Sequence, residues 1–131
     1  MEHERTILLI DDDRDFVSSN TDLLEAYGYI VFQAYDGTSG FLLAKSERPD
    51  LIVLDVMMDY ETEGLDLARK IRNDEELKDT KILLVSGINR EMKLGFSLNP
   101  DDIWLPVTRV MEKPIMPTRF IAEVQRMIGS E

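Results

Sequence analysis

Four short apolar runs punctuate the chain, and each ends in a polar residue able to do chemistry. They are Ile7-Leu8-Leu9-Ile10 into Asp11-Asp12, Leu51-Ile52-Val53-Leu54 into Asp55, Ile82-Leu83-Leu84-Val85 into Ser86, and the shorter Val110-Met111 into Glu112-Lys113-Pro114. Unbroken runs of this length predict parallel strands buried on both faces. Residues 29–34 add a fifth strand candidate. Helical spacing appears between the strands. Phe16, Asn20, Leu23, Leu24 and Tyr27 predict a helix over 15–27, with Asp12 or Asp13 as its N-cap and Gly28 as its stop. Asp36-Gly37 turns the chain into a helix of about nine residues that ends near Arg48-Pro49. After the acidic loop Asp59-Tyr60-Glu61-Thr62-Glu63-Gly64, Leu65, Ala68 and Ile71 mark one face of a helix running to about Asn73. Phe120, Ile121, Val124, Met127 and Ile128 mark the last helix, 117–128. Gly95, Pro100 and Pro106 interrupt the stretch 87–109, which predicts one short helix and a long irregular connection.

Strand and helix patterns that alternate from end to end predict a parallel sheet with helices on both faces. In such a sheet a site forms where the carboxyl ends of the strands converge. Three carboxylates (Asp11, Asp12, Asp55), the Ser86 hydroxyl and the Lys113 ammonium would meet there, a constellation suited to phosphoryl transfer and a divalent metal. Unit charges about 4 Å apart repel by roughly 4 kcal/mol at an effective dielectric near 20, so the carboxylates call for a compensating cation. Oxygen-only ligands favour Mg²⁺ or Mn²⁺.

Composition narrows the classes. A chain of 131 residues with 44% hydrophobic content predicts one domain with a real core. No apolar stretch reaches the roughly 20 residues of a membrane span, and Met1-Glu2-His3-Glu4-Arg5 leads into a strand without a signal peptide, so a cytoplasmic location is expected. The absence of cysteine excludes disulfides and thiolate chemistry, and the single histidine, His3, lies at the N-terminus. A net charge of -11 disfavours nucleic acid and anionic membranes and points to protein partners. Blander readings exist for single residues. Asp11, Asp12 and Asp13 suit a turn or a helix cap, with Asp13 the expected cap, and the methionines suit core filling. Asp11-x-Asp13-x-Asp15 imitates a calcium loop, but Phe16 stands at its glycine position and Asp22 at its closing glutamate.

Taken together, Ile7-Leu8-Leu9-Ile10-Asp11-Asp12-Asp13, Pro49-Asp50-Leu51-Ile52-Val53-Leu54-Asp55-Val56-Met57-Met58, Leu83-Leu84-Val85-Ser86-Gly87 and Lys113-Pro114 resemble, in order and along essentially the whole chain, a receiver domain of bacterial two-component response regulators. The resemblance implies a flavodoxin-like, doubly wound five-stranded parallel sheet, order 2-1-3-4-5, with about five helices. Residues 1–131 would be one receiver domain, with no output domain in this chain. Asp55 would accept a phosphoryl group from a histidine kinase or phosphotransfer protein. Asp12, Asp55 and the Met57 backbone carbonyl would bind Mg²⁺ or Mn²⁺, with Asp11 reaching it through water. Lys113 would pair with Asp55 before the reaction and with phosphate after it, and Ser86 would donate to a phosphoryl oxygen. Such a chain is a switch that controls a protein partner, not a turnover enzyme.

The sequence departs from the family pattern in several places. Asp59 stands where receivers commonly have proline, and Gly64 falls one residue late. Val110 replaces the aromatic switch residue three before Lys113. The segment between Ser86 and Lys113 is about five residues longer than is typical of the family and holds Asp101-Asp102-Ile103-Trp104; signalling through reordering of 87–109 is therefore expected. Met57 and Ile88, two beyond Asp55 and Ser86, are apolar and predict slow autodephosphorylation. A haloacid-dehalogenase-like phosphatase, with Asp11 as nucleophile and Asp13 as general acid, is the competing enzyme reading. It is disfavoured because 114–131 reads as one amphipathic helix without a further acidic metal motif. A phosphorylation-independent pseudo-receiver is disfavoured by the full set of site residues.

Overall fold

The computed structural model describes residues 4–56, 63–87 and 107–129. Five strands, β1 (Thr6–Ile10), β2 (Ile30–Ala34), β3 (Leu51–Asp55), β4 (Lys81–Gly87) and β5 (Arg109–Lys113), form one parallel sheet in the order β2-β1-β3-β4-β5. Four helices, α1 (Arg14–Ala26), α2 (Gly37–Glu47), α3 (Glu63–Arg72) and α4 (Pro117–Ile128), complete the described residues. The further helix expected within 87–109 falls in a stretch of which 88–106 lie outside the described residues.

The apolar runs split by residue parity. Ile7, Leu9, Leu51, Val53, Leu83 and Val85 pack with Val17 and Leu24 of α1 and Phe120, Ile121, Val124 and Met127 of α4. Leu8, Ile10, Ile52, Leu54, Ile82 and Leu84 pack with Ala44 of α2 and Leu65, Ala68 and Ile71 of α3. Successive strand side chains point to opposite faces, so a run that is apolar throughout is what two covered faces require. No helix among the described residues is long and apolar enough to cross a membrane.

The helix ends follow local chemistry. Asp13 caps α1, its carboxylate accepting from the N–H groups of Asp15 and Phe16, and Asp36 caps α2 by accepting from Ser39 N–H. Arg48, in the left-handed region at φ 45°, closes α2 before Pro49. Two glycines allow close approaches that set the carboxyl edge of the sheet. A Cβ on Gly40 would lie 2.6 Å from Ile10 Cδ1, and one on Gly64 would lie 2.0 Å from the Asp55 carbonyl oxygen. Gly64 N–H also donates to the Val56 carbonyl at 2.9 Å.

Candidate functional site

Strand register delivers the site residues to one edge. Asp11 follows the last residue of β1, and its N–H donates to the Ala34 carbonyl of β2 at 3.1 Å. Asp55 ends β3 opposite Val85 of β4, which places Ser86 one residue farther along. Ser86 in turn pairs with Glu112 and Gly87 with Lys113, so Lys113 ends β5 on the same edge. Asp11, Asp55 and Ser86 are buried, whereas Asp12 is exposed.

One carboxylate oxygen each from Asp11, Asp12 and Asp55 lie within 4.8 Å of one another, a group able to hold a metal ion. The Lys113 ammonium donates to Asp11 Oδ2 at 2.8 Å and lies 3.9 Å from Asp55 Oδ1. Sequence reasoning paired Lys113 with Asp55; the ammonium is within ion-pair distance of that carboxylate and is also hydrogen-bonded to Asp11, sitting between the two. It also lies 4.4 Å from the centroid of the Phe16 ring, a cation–π contact that helps fix a flexible stem. Asp11 is further held by the N–H of Asp13, donating to Oδ1 at 2.9 Å. Burial raises the Asp11 pKa above the usual aspartate value and the negative Asp12 adds to this, against the lowering by Lys113 and the Asp13 N–H.

The structure thus brings together Asp11, Asp12, Asp55 and Lys113, and sets Ser86 on the neighbouring strand end. Met57, expected to supply a carbonyl ligand, and Ile88 lie outside the described residues. The Asp13 carboxylate caps α1, its Oδ1 accepting from the N–H groups of Asp15 and Phe16, as the structural reading of this residue expects. Val110 is half-buried against the core beside α2 and α3.

Two contributors escaped sequence reasoning. Phe16 reads as an ordinary core position of an amphipathic helix, yet its ring lies beside the ammonium. Glu63 reads as part of an acidic loop, yet it is buried at the start of α3 and its Oε2 accepts from Gly37 N–H of α2 at 2.6 Å. A glutamate directly before a helix glycine was the only signal available.

Comparison with known proteins agrees with this architecture. The family described as response regulator receiver domain matches residues 7–125. The DNA-binding dual master transcriptional regulator RpaA of Synechocystis sp. is 34% identical over 127 residues, covering 93% of this chain and 48% of RpaA. The alkaline phosphatase synthesis transcriptional regulatory protein PhoP of Bacillus subtilis is 31% identical over 124 residues, covering 95% of this chain and 48% of PhoP. The polar-differentiation response regulator DivK of Brucella anthropi is 25% identical, covering 95% of this chain and 97% of DivK. The chain therefore spans about half the length of RpaA and PhoP and nearly all of DivK. Among solved structures, a sensor protein from Polaromonas sp. JS666 superposes with a TM-score of 0.81 at 25% identity, covering 96% of this chain and 97% of that one. The chemotaxis response regulator CheY4 of Vibrio cholerae superposes at 0.79 with 23% identity, covering 95% and 99%. With the family match spanning most of its length and its strand-end carboxylates and lysine on one edge, the chain belongs to the response regulator receiver domain family.

Proposed function

We propose that this chain is a phosphorylation-controlled switch acting in the cytoplasm, in which Asp55 accepts a phosphoryl group from a histidine kinase or phosphotransfer protein with the help of Mg²⁺ or Mn²⁺. The observation that carries this reading is the meeting of Asp11, Asp12 and Asp55 within 4.8 Å, with Lys113 at 2.8 Å from Asp11 and 3.9 Å from Asp55. The donor set is all oxygen and strongly negative, which fits a hard divalent cation. Asp11, Asp12 and Asp55 would hold it, with the Met57 carbonyl completing the protein ligands. Bound there, such an ion neutralises the carboxylates and the phosphoryl oxygens together.

In the transfer, a carboxylate oxygen of Asp55 attacks phosphorus, the bond from phosphorus to the donor imidazole nitrogen breaks, and an acyl phosphate forms on this chain. Lys113 is a mobile point charge that can turn from the carboxylates to a phosphoryl oxygen. Ser86, on the adjoining strand, has a hydroxyl able to donate to another. The product stays attached to the chain, so the event is a switch and not a turnover reaction. The new group carries about two negative charges and draws on Ser86 and Lys113, which bracket the segment 87–112 and couple it to Asp55. The apolar Met57 and Ile88 support slow hydrolysis of the adduct. Incubation with a small phosphodonor and Mg²⁺ followed by mass spectrometry should reveal a labile adduct on Asp55 that Asp55→Asn abolishes. An adduct that survives in Asp55→Asn but is lost in Asp11→Asn would refute the switch and support the phosphatase.

A further inference from the structure

Three glycines and one buried glutamate tie the two halves of the carboxylate cluster together. On one side, α2 lies directly on β1: a Cβ at Gly40 would be 2.6 Å from Ile10 Cδ1, and Ile10 is the residue before Asp11. On the other, α3 lies directly on the end of β3, because a Cβ at Gly64 would be 2.0 Å from the Asp55 carbonyl oxygen and 2.6 Å from Val56 Cα. Glu63 bridges these two packed pairs. Its carboxylate Oε2 accepts from Gly37 N–H, the first amide of α2, at 2.6 Å, and a Cβ on Gly37 would meet the same oxygen at 2.7 Å. The contact suits a carboxylate, since the amino end of a helix carries partial positive charge and unpaired N–H groups. Asp36 already takes the Ser39 N–H, so the two acids serve different amides of the same helix end.

We infer that Glu63 is a positioning residue for the Asp11–Asp12–Asp55 site. β1 and β3 are already paired as far as Ile10 and Leu54, so by clasping α2 to α3 Glu63 restrains the distance between the carboxylates that lie just past that ladder, Asp11 and Asp12 on one side and Asp55 on the other. Divalent-ion affinity depends steeply on that distance, because Mg²⁺ tolerates little departure from its short octahedral bonds. Groups that orient ligands without touching the metal commonly matter by about 10–100-fold in affinity. Glu63 acts through packed backbone, so the lower end of that range applies. The inference rests on the proposed metal-dependent function and specifies which residue outside the ligand set sustains it.

The test is Mg²⁺ binding to the whole chain by isothermal titration calorimetry, with thermal unfolding measured on the same samples. Glu63→Ala should weaken Mg²⁺ binding by about tenfold. Glu63→Gln retains an oxygen acceptor for Gly37 N–H and should stay within about threefold of wild type. Gly37→Ala pushes a methyl group against the end of a flexible side chain, so it folds, displaces the carboxylate and should weaken Mg²⁺ binding as Glu63→Ala does. Asp36→Ala removes the other cap of α2 and controls for stability: it should lower the unfolding temperature while leaving Mg²⁺ affinity unchanged. Unchanged affinity in Glu63→Ala and Gly37→Ala, or an equal loss in Asp36→Ala, would overturn the positioning role alone. Wild-type protein that binds no Mg²⁺ would overturn the metal-dependent reading and this inference with it.

Discussion

Lys113 and Asp11, 102 positions apart in sequence, meet at 2.8 Å, while Lys113 stays 3.9 Å from Asp55. The ammonium is thus the resident counter-charge of a carboxylate cluster, and it competes with any cation the cluster could take. Removing it should leave the site more negative. Lys113→Ala is expected to bind Mg²⁺ about tenfold more tightly, corresponding to about 1.4 kcal/mol of relieved competition, while trapping a phosphoryl mimic less well. Calorimetry with Mg²⁺ alone checks the first part; weaker binding would show that Lys113 chiefly holds Asp11 in position.

Asp55 is almost wholly buried, and its carboxylate shares its surroundings with those of Asp11 and Asp12. Neutralising one of three clustered charges should stabilise the metal-free protein. Asp55→Asn is expected to gain on the order of 1 kcal/mol in urea unfolding without Mg²⁺. Added Mg²⁺ should shrink or reverse the gain, because the ion stabilises in proportion to its affinity for the native site and wild type keeps all three carboxylates. A variant less stable than wild type without Mg²⁺ would mean that the Asp55 charge is already fully compensated.

The strands were legible because a sheet covered on both faces asks for unbroken apolar runs, and β1, β3 and β4 supply them. Candidate residues were legible for the same reason: Asp11, Asp55, Ser86 and Lys113 fall at or next to the point where each strand ends, and parallel register sends those points to one edge. Helix ends followed from Asp13, Asp36 and Pro49, whose effects are local. What stayed hidden is tertiary. Nothing near Lys113 in sequence says that Asp11 lies closer than Asp55, since the two contacts, 2.8 Å and 3.9 Å, are set by where three separate strands end. Glu63 resembles its acidic neighbours until α2 is brought over it, 26 residues away. Gly64 read only as a shift of the family pattern, although the Asp55 carbonyl leaves no room for a side chain there.

Asp36 predicts a pH signature. Hydrogen bonds from the Ser39 N–H and hydroxyl hold its carboxyl below the ordinary aspartate range. A folded-state pKa below the unfolded value contributes stability above the unfolded pKa, and that contribution is lost as pH falls through the folded pKa. Asp36→Ala should therefore cost about 1 kcal/mol near neutrality, typical of a lost N-cap. The difference from wild type should narrow below about pH 4 as the carboxyl protonates. Urea unfolding across that range checks it; a gap that is constant with pH would assign the loss to packing.

Gly40 and Gly64 separate two kinds of close approach. An alanine at Gly40 meets Ile10 Cδ1, the end of a side chain, whereas an alanine at Gly64 meets the backbone of Asp55 and Val56. A side-chain clash can be removed by shortening the partner. Gly40→Ala is expected to cost about 1–3 kcal/mol as an overpacked core position, and Ile10→Val, which deletes Cδ1, should recover part of that loss in the double variant despite its own small cost. No such partner exists for Gly64→Ala, because β3 would have to move. That variant should lose about 3 kcal/mol or more and, since the moving strand carries Asp55, should lose Mg²⁺ binding with it. Unfolding curves for the two single variants and the Ile10→Val pair decide the matter: if the double variant is no more stable than Gly40→Ala alone, α2 is set on β1 by contacts other than Ile10.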